Sequence, residues 1–524
     1  MKRYMLWAMF ALAALALAVT ANVATVQRPS AAICKTDNEA PDGLYAESSG
    51  TGSRLERAPS SGFAPCIACI PSRPVVPGRP AVSLAPDGTT FGPFHAYEPA
   101  DIYAAYGVDR LHKEGLMGQG QTIVVVVSYG SPTALDDLQV FSRTFGLPDP
   151  DLTIIYPNGK PTYSKAMQDI QANWAGETSL DLQWAHAIAP CAKLVLIAAN
   201  PAETDGVQGF PSMFKGISYA VEHYPGSVIN QSFATFEQAF QSAADEQAAK
   251  FQQVYRQAVA ARCTVMSASG DWGTANSDKQ GDVPPFPTVC WPASDPLVTA
   301  CGGTQLQWGW RWDPAISAEE FWDAVALLGD WEQAMEVTGI MDSTAGRRTE
   351  AVWNEAYTPN RGQATGGGLS VLYPTPDFQL GLPQSLLQGR RGVPDISWHA
   401  ALNGGVLLYM SRTYYPQPYV NGWTITCGTS ASTPQLAGLI ALANQLRREN
   451  GKGPIGYLNP ILYTLPAEDF NDILPETFGP VTLDNNELFD SGIPGFDTTP
   501  GWDLTTGLGS PKAYEFVHDL AESP

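Results

Sequence analysis

An α/β fold built on a parallel sheet is predicted by two features of this 524-residue chain. Thr122-Ile123-Val124-Val125-Val126-Val127 is a continuous apolar, β-branched run, as a strand buried on both faces requires. Beyond it, helical and strand-like segments alternate. A helix is expected at 135–145, then helix 176–188 with strand 193–198, and helix 212–223 with strand 227–231. A long helix at 236–262 then leads into a strand at 263–268. Alternation at this pitch makes the helices crossovers that cover both faces of the sheet.

Later elements extend the same domain. A helix is expected at 430–450, with its apolar body from Gln435 to Leu446. Residues 314–339 read as an amphipathic helix inserted at the surface. No internal repeat is present, and residues 95–524 read as one domain, long enough to bury a large core. The apolar fraction of 44% suits that reading.

The N-terminal part is different. Met1-Lys2-Arg3, an apolar run over 5–19, and small residues including Ala21 and Ala24 make residues 1–24 a secretory signal peptide, with an uncleaved membrane anchor as the alternative. Residues 25–94 are rich in Pro, Gly and Ser and lack any sustained period, as expected of an irregular, exposed segment. The expected location is therefore extracellular, or membrane-tethered if the apolar segment stays attached.

Thirty basic against 52 acidic residues give a formal charge of −22. That field disfavours nucleic acid and anionic membranes as partners, and many of these carboxylates would be neutral in an acid setting. Of the eight cysteines, three lie before residue 70 and five after residue 190. Both counts are odd, so full pairing needs a bridge between the two parts. Cys66 and Cys69 lack a second pair at zinc spacing and read as structural.

Ser430, in Cys427-Gly428-Thr429-Ser430-Ala431-Ser432-Thr433-Pro434, sits where a Gly-Thr turn meets a helix. The positive end of the helix dipole there favours a nucleophilic hydroxyl, and equally a helix-capping serine. Pro434 fits a first helical turn. A serine nucleophile needs a base, yet none of the six histidines has a His-Gly-[Thr/Ser] setting, and His186 follows helical spacing.

Carboxylates supply the alternative. Glu177 and Asp181 lie four apart on one face of a helix that continues into an apolar stretch. As a solvated pair they would do nothing; desolvated, they would share a proton at mildly acid pH. Glu177 could then take the proton of Ser430, with Asp181 holding it in place. Asp271, in Ser269-Gly270-Asp271-Trp272-Gly273, follows a strand end, where α/β sheets place their sites. It is either a turn aspartate or, protonated, a hydrogen-bond donor to an oxyanion.

Gly120-Gln121-Thr122-Ile123, Glu177-x-x-x-Asp181, Ala189-Pro190, Ser269-Gly270-Asp271, Cys301-Gly302-Gly303-Thr304, Gly366-Gly367-Gly368, Arg391-Gly392-Val393-Pro394-Asp395 and Gly428-Thr429-Ser430 occur in one order over residues 95–520. In that order and spacing the chain resembles the sedolisin, or serine-carboxyl peptidase, family. The resemblance implies a subtilisin-like fold and peptide-bond cleavage at acid pH, by an endopeptidase or a tripeptidyl-peptidase. It implies Ser430 as nucleophile, Glu177 as base, Asp181 as its partner and Asp271 as oxyanion donor. It also implies one structural calcium ion near the C-terminus, on the side chains of Asp472 and Asp503 and the carbonyls of Ile473, Thr499 and Gly501.

Three departures stand out. Asn230-Gln231-Ser232-Phe233-Ala234 replaces a Ser-x-Ser-Trp-Gly-like strand, Cys427 and Trp272 replace small residues beside the site, and Thr499 replaces a glycine. The expectation is a secreted, monomeric acid endopeptidase acting on proteins or peptides. Its rivals are a catalytically silent peptide-binding relative and a His-dependent subtilisin-type enzyme working near neutral pH.

Overall fold

The computed structural model describes residues 96–164, 168–202, 204, 206–240, 245–277, 281–308, 348–355, 363–411, 422–478, 481–488 and 491–524. The signal segment, the 25–94 segment and the helix expected at 314–339 lie outside them.

Among the described residues the main sheet has eight strands. They are β1 (Thr122–Ser128), β2 (Leu152–Ile155), β3 (Lys193–Ala199), β4 (Val228–Gln231), β5 (Thr264–Ala268), β6 (Thr299–Trp308), β7 (Arg348–Val352) and β8 (Ile396–His399). Their order is β7-β6-β5-β4-β1-β3-β2, with β8 also paired to β6. Every pairing is parallel except that of β7 with β6. The β-branched run that announced the sheet is its centre: Val124 lies between Val195 of β3 and Ile229 of β4, and Ile123 to Val127 are fully buried. The chain leaves β1 towards β2 and β3, then returns past it to β4 and beyond. That reversal opens a crevice at the carboxyl ends of β1 and β4.

The helices that position the site are α1 (Ala134–Phe145), α2 (Gln168–Ile188), α3 (Phe210–His223), α4 (Glu246–Ala260), α5 (Thr429–Glu449) and α6 (Ala513–Glu522). Two helix starts and the place of one proline differ from the sequence reading. α2 begins eight residues before 176. α4 begins at Glu246 rather than 236, because the Asp245 carboxylate accepts from the N–H groups of Gln247 and Ala248 and caps it there. The stretch before it is pulled into other contacts: Thr235–Phe236 pairs with Cys290–Trp291, and the Glu237 carboxylate accepts from Ser370 Oγ and Val371 N. In α5, Pro434 is the sixth helical residue rather than one of the first turn.

α5 and α2 run in the same direction. A Cβ on Gly438 of α5 would lie 2.6 Å from Ile188 Cβ, so glycine there lets the two backbones meet. One turn or more further along, Gln445 Oε1 accepts from the N–H groups of Met117 and Gly118. A Cβ on Gly118 would in turn lie 3.0 Å from the Cβ atoms of Ala189 and Ala192, just past the end of α2. Contacts advance towards the C-terminus on both helices, which fixes them as parallel neighbours.

Cys191 is disulfide-bonded, and Cys263, Cys290, Cys301 and Cys427 are buried. Cys34, Cys66 and Cys69 lie outside the described residues. No described helix is long and apolar enough to cross a membrane.

Candidate active site

Asp271 follows β5 at its carboxyl end and meets the N-terminus of α5. Thr429 N and Thr429 Oγ1 both donate to Asp271 Oδ1 at 2.8 Å, and Gly270 N donates to Thr429 Oγ1 at 3.1 Å. The carboxylate thus caps α5 where the helix dipole favours negative charge. Burial nevertheless wins over those donors and pushes its pKa up to about 6. Oδ2 has no hydrogen-bond partner among the described residues. Gly428 makes the approach possible: its φ of 103° is left-handed, and a Cβ there would come within 2.8 Å of Asp271 Oδ2.

Ser430 is the second residue of α5, and Gly428 occupies the N-cap position. The capping role open to Ser430 from sequence is therefore not the one it takes. Its Oγ is buried and has no hydrogen-bond partner among the described residues. An unpaired buried hydroxyl costs about 1–3 kcal/mol, which a structural serine would not tolerate without return. Pro434 has no N–H, so the Ser430 carbonyl lacks its usual helical donor. Ser432 Oγ, donating to Gly302 O at 2.9 Å, ties this first turn to β6 instead.

Glu177 and Asp181 are fully buried on α2. Glu177, Asp181 and Ala185 form one stripe spaced by four; so do Ser430, Pro434 and Gly438 on α5. The parallel helices meet where Gly438 faces Ala185 and Ile188. Ser430 lies eight residues before Gly438, and Glu177 lies eight before Ala185 and eleven before Ile188, so both stand towards the N-terminal side of that contact on their helices.

Asp181 is held by one oxygen. Ser232 Oγ donates to its Oδ1 at 2.7 Å, and Asn230 Nδ2 donates to Ser232 Oγ at 3.3 Å. Asp181 Oδ2 has no hydrogen-bond partner among the described residues. Desolvation drives the carboxyl well above its ordinary range, with Ser232 and Asn230 opposing.

The histidines are committed elsewhere. His186 Nε2 bonds Pro148 O at 3.0 Å, and burial lowers its pKa to about 4. His112 bonds Ile188 O, His223 bonds Tyr219 O, His399 bonds Leu306 N and Gly404 O, and His518 bonds Glu114. His95 lies outside the described residues. Two polar residues that matter were not singled out as site residues from sequence: Thr429, which orients Asp271, and Ser232, which orients Asp181. The signal for Thr429 was its place in Gly-Thr-Ser; for Ser232 it was only its place after a buried strand.

A second cluster forms near the C-terminus. Gly501 N donates to both oxygens of Asp472 at 3.1 Å, and Thr499 N donates to Asp503 Oδ2 at 3.0 Å. Asp503 Oδ1 accepts from Thr505 N, Thr506 N and Thr506 Oγ1, and burial raises its pKa to about 6. Gly501 is thus set against Asp472 and Thr499 against Asp503, and no group of three or more His, Cys, Asp or Glu side chains is placed to hold a metal ion among the described residues. The groups that the resemblance implies as ligands, two carboxylates and three carbonyls, are all oxygen, the donor chemistry of a hard cation.

No protein-family model matches the chain. Kumamolisin of Bacillus sp. (strain MN-32) is 31% identical over 436 residues, 82% of this chain and 64% of that protein. Tripeptidyl-peptidase SED1 of Arthroderma otae is 28% identical over 352 residues, 64% of this chain and 45% of that protein. A solved structure of Pseudomonas sedolisin, a serine-carboxyl proteinase complexed with two molecules of pseudo-iodotyrostatin, superposes with a TM-score of 0.61 at 24% identity. It covers 82% of this chain and 99% of that one. The chain belongs to the sedolisin family.

This sedolisin spans less than two thirds of the length of the two curated relatives named here. Its fold is the subtilisin-like one, with the parallel sheet and flanking helices in a single domain. Two of its departures make polar contacts near the site: Asn230 donates to Ser232, which holds Asp181, and Cys427 Sγ lies 3.5 Å from Gln363 Oε1.

Proposed function

We propose that this sedolisin is an exported, acid-acting serine-carboxyl endopeptidase. The observation that supports it most is that Asp181 and Asp271 are each held through Oδ1, while their Oδ2 atoms and the buried Ser430 Oγ have no hydrogen-bond partner among the described residues. Ser430 Oγ attacks the scissile carbonyl while Glu177 takes its proton. Asp181, kept protonated by burial, shares its proton with Glu177 and holds that carboxylate in place. Asp271, protonated below about pH 6, donates from Oδ2 to the tetrahedral oxyanion. Glu177 then returns the proton to the leaving amine, and water hydrolyses the acyl-enzyme by the same steps in reverse.

The polypeptide substrate is the partner, and the enzyme works as a monomer. Residues 1–24 act as the export signal and 25–94 as a linker ahead of the 95–524 domain; the Cys191 disulfide suits an oxidising compartment. One calcium ion would be held by the side chains of Asp472 and Asp503 with the carbonyls of Ile473, Thr499 and Gly501. It would supply charge neutralisation that ties the loop at 499–503 to the chain around residue 472.

The test is cleavage of a denatured protein from pH 2.5 to 8, beside Ser430→Ala and Glu177→Ala. Ser430-dependent cleavage with an acid optimum is expected, and Glu177→Ala should abolish it. No serine-dependent cleavage at any pH would leave only the silent peptide-binding role. A neutral optimum surviving Glu177→Ala would refute the carboxylate base. Release of tripeptides alone would make it a tripeptidyl-peptidase.

A further inference from the structure

We infer that Ser232 and Asn230 are positioning residues that decide which oxygen of Asp181 carries the proton shared with Glu177, and so where the acid limb of activity falls. The inference rests on the peptidase reading above. The chain of donors is directional: Asn230 Nδ2 to Ser232 Oγ at 3.3 Å, then Ser232 Oγ to Asp181 Oδ1 at 2.7 Å. All three residues are buried, so neither hydroxyl nor amide has water to turn to. A hydroxyl that donates to Oδ1 repels a proton from that oxygen. The proton of Asp181 is left on Oδ2, which has no other partner among the described residues.

The same donors stabilise ionised Asp181, against the burial that disfavours it. Glu177 is the titratable neighbour, one turn away on α2. Packed against α2 are α1, α5, β1, β3, the strand Gly405–Met410 and the helix Pro99–Tyr106. β1 and that strand carry no charged residue. The charges of the others, from Asp101 and Asp137 to Lys193 and Arg447, do not figure among the influences on Asp181, which are burial, Ser232 and Asn230. Losing either donor therefore makes the acid pair hold its first proton to higher pH. Glu177 becomes available as a base later, while the alkaline limb, set by Asp271, stays put.

The experiment is kcat and KM across pH 2.5–8 for the full chain with an internally quenched peptide. Ser232→Ala should move the acid limb up by about one pH unit, and Asn230→Ala should move it the same way by about half as much. Ser232→Thr keeps the hydroxyl and should restore the wild-type limb. A purely structural role predicts lower activity at every pH with the limb unmoved; that result in Asn230→Ala, or in a folded Ser232→Ala, overturns the inference while leaving the peptidase intact. Failure of the wild type to show Ser430-dependent turnover would overturn the peptidase reading and this inference with it.

Discussion

Replacing Asp271 separates its two roles, as an acid and as a hydrogen-bond donor. In Asp271→Ala both vanish. Loss of one oxyanion donor is expected to lower kcat by about 10²–10³-fold, with KM nearly unchanged, because the oxyanion exists only on the way to the acyl-enzyme. The N–H of Thr429 also loses its acceptor, costing about 0.5–2 kcal/mol of stability as other lost helix caps do. Asp271→Asn is the sharper probe. Its Oδ1 can still accept from Thr429 N and Oγ1 at the 2.8 Å seen for aspartate, which turns the amide NH2 to the open Oδ2 position. The donor is then permanent. Wild-type kcat should fall about tenfold per pH unit above the Asp271 pKa of about 6, and in the asparagine variant that fall should disappear or move upward. Initial rates on a quenched peptide from pH 2.5 to 8 decide it. Asp271→Ala within about threefold of wild type at pH 4, or Asp271→Asn retaining a fall centred near pH 6, would refute the reasoning.

Stability should also depend on pH. Asp271 and Asp295 each rise from 3.8 to about 6 through burial, so the folded state prefers the protonated form. Each contributes about 3 kcal/mol that is fully present below about pH 4 and lost as pH rises through about 6. The melting temperature should therefore drop between pH 4 and 7, and Asp295→Asn should flatten the drop. Gly438→Ala drives a Cβ to 2.6 Å from Ile188 and should destabilise by about 1–3 kcal/mol, with a larger loss in kcat than in KM as Ser430 and Glu177 separate. Chelator should lower the melting temperature of the wild type but not of Asp472→Ala; an unchanged wild-type melt counts against calcium. Asp395→Ala strands the buried Arg391 guanidinium, whose Nη2 lies 2.5 Å from Asp395 Oδ2, and should cost about 3–5 kcal/mol by chemical denaturation.

Much of the site could be read locally. Glu177 and Asp181 are four apart on a helix, Asp271 directly follows a strand, and the Gly-Thr-Ser run precedes a helix; each is a short-range pattern. The errors came where long-range contacts override propensity. Residues 236–245 have helical composition, but Glu237 is claimed by Ser370 and Val371, some 130 residues away, and the helix cannot begin until Asp245 caps it. Ser430 was indistinguishable from a helix cap until Gly428 was seen to take that position.

The linear chain by itself determined the alternation of β-branched strands and helices, the shortage of a usable histidine, and the three acids in their local settings. Only the tertiary structure decided which oxygens of those acids stay open. That depends on Ser232 meeting Asp181 across 51 residues and Thr429 meeting Asp271 across 158. The physical reason is desolvation. A carboxylate in sequence has its ordinary acidity, and it becomes a proton-sharing partner or an oxyanion donor only when packing removes water and leaves one hydroxyl or one N–H to hold it.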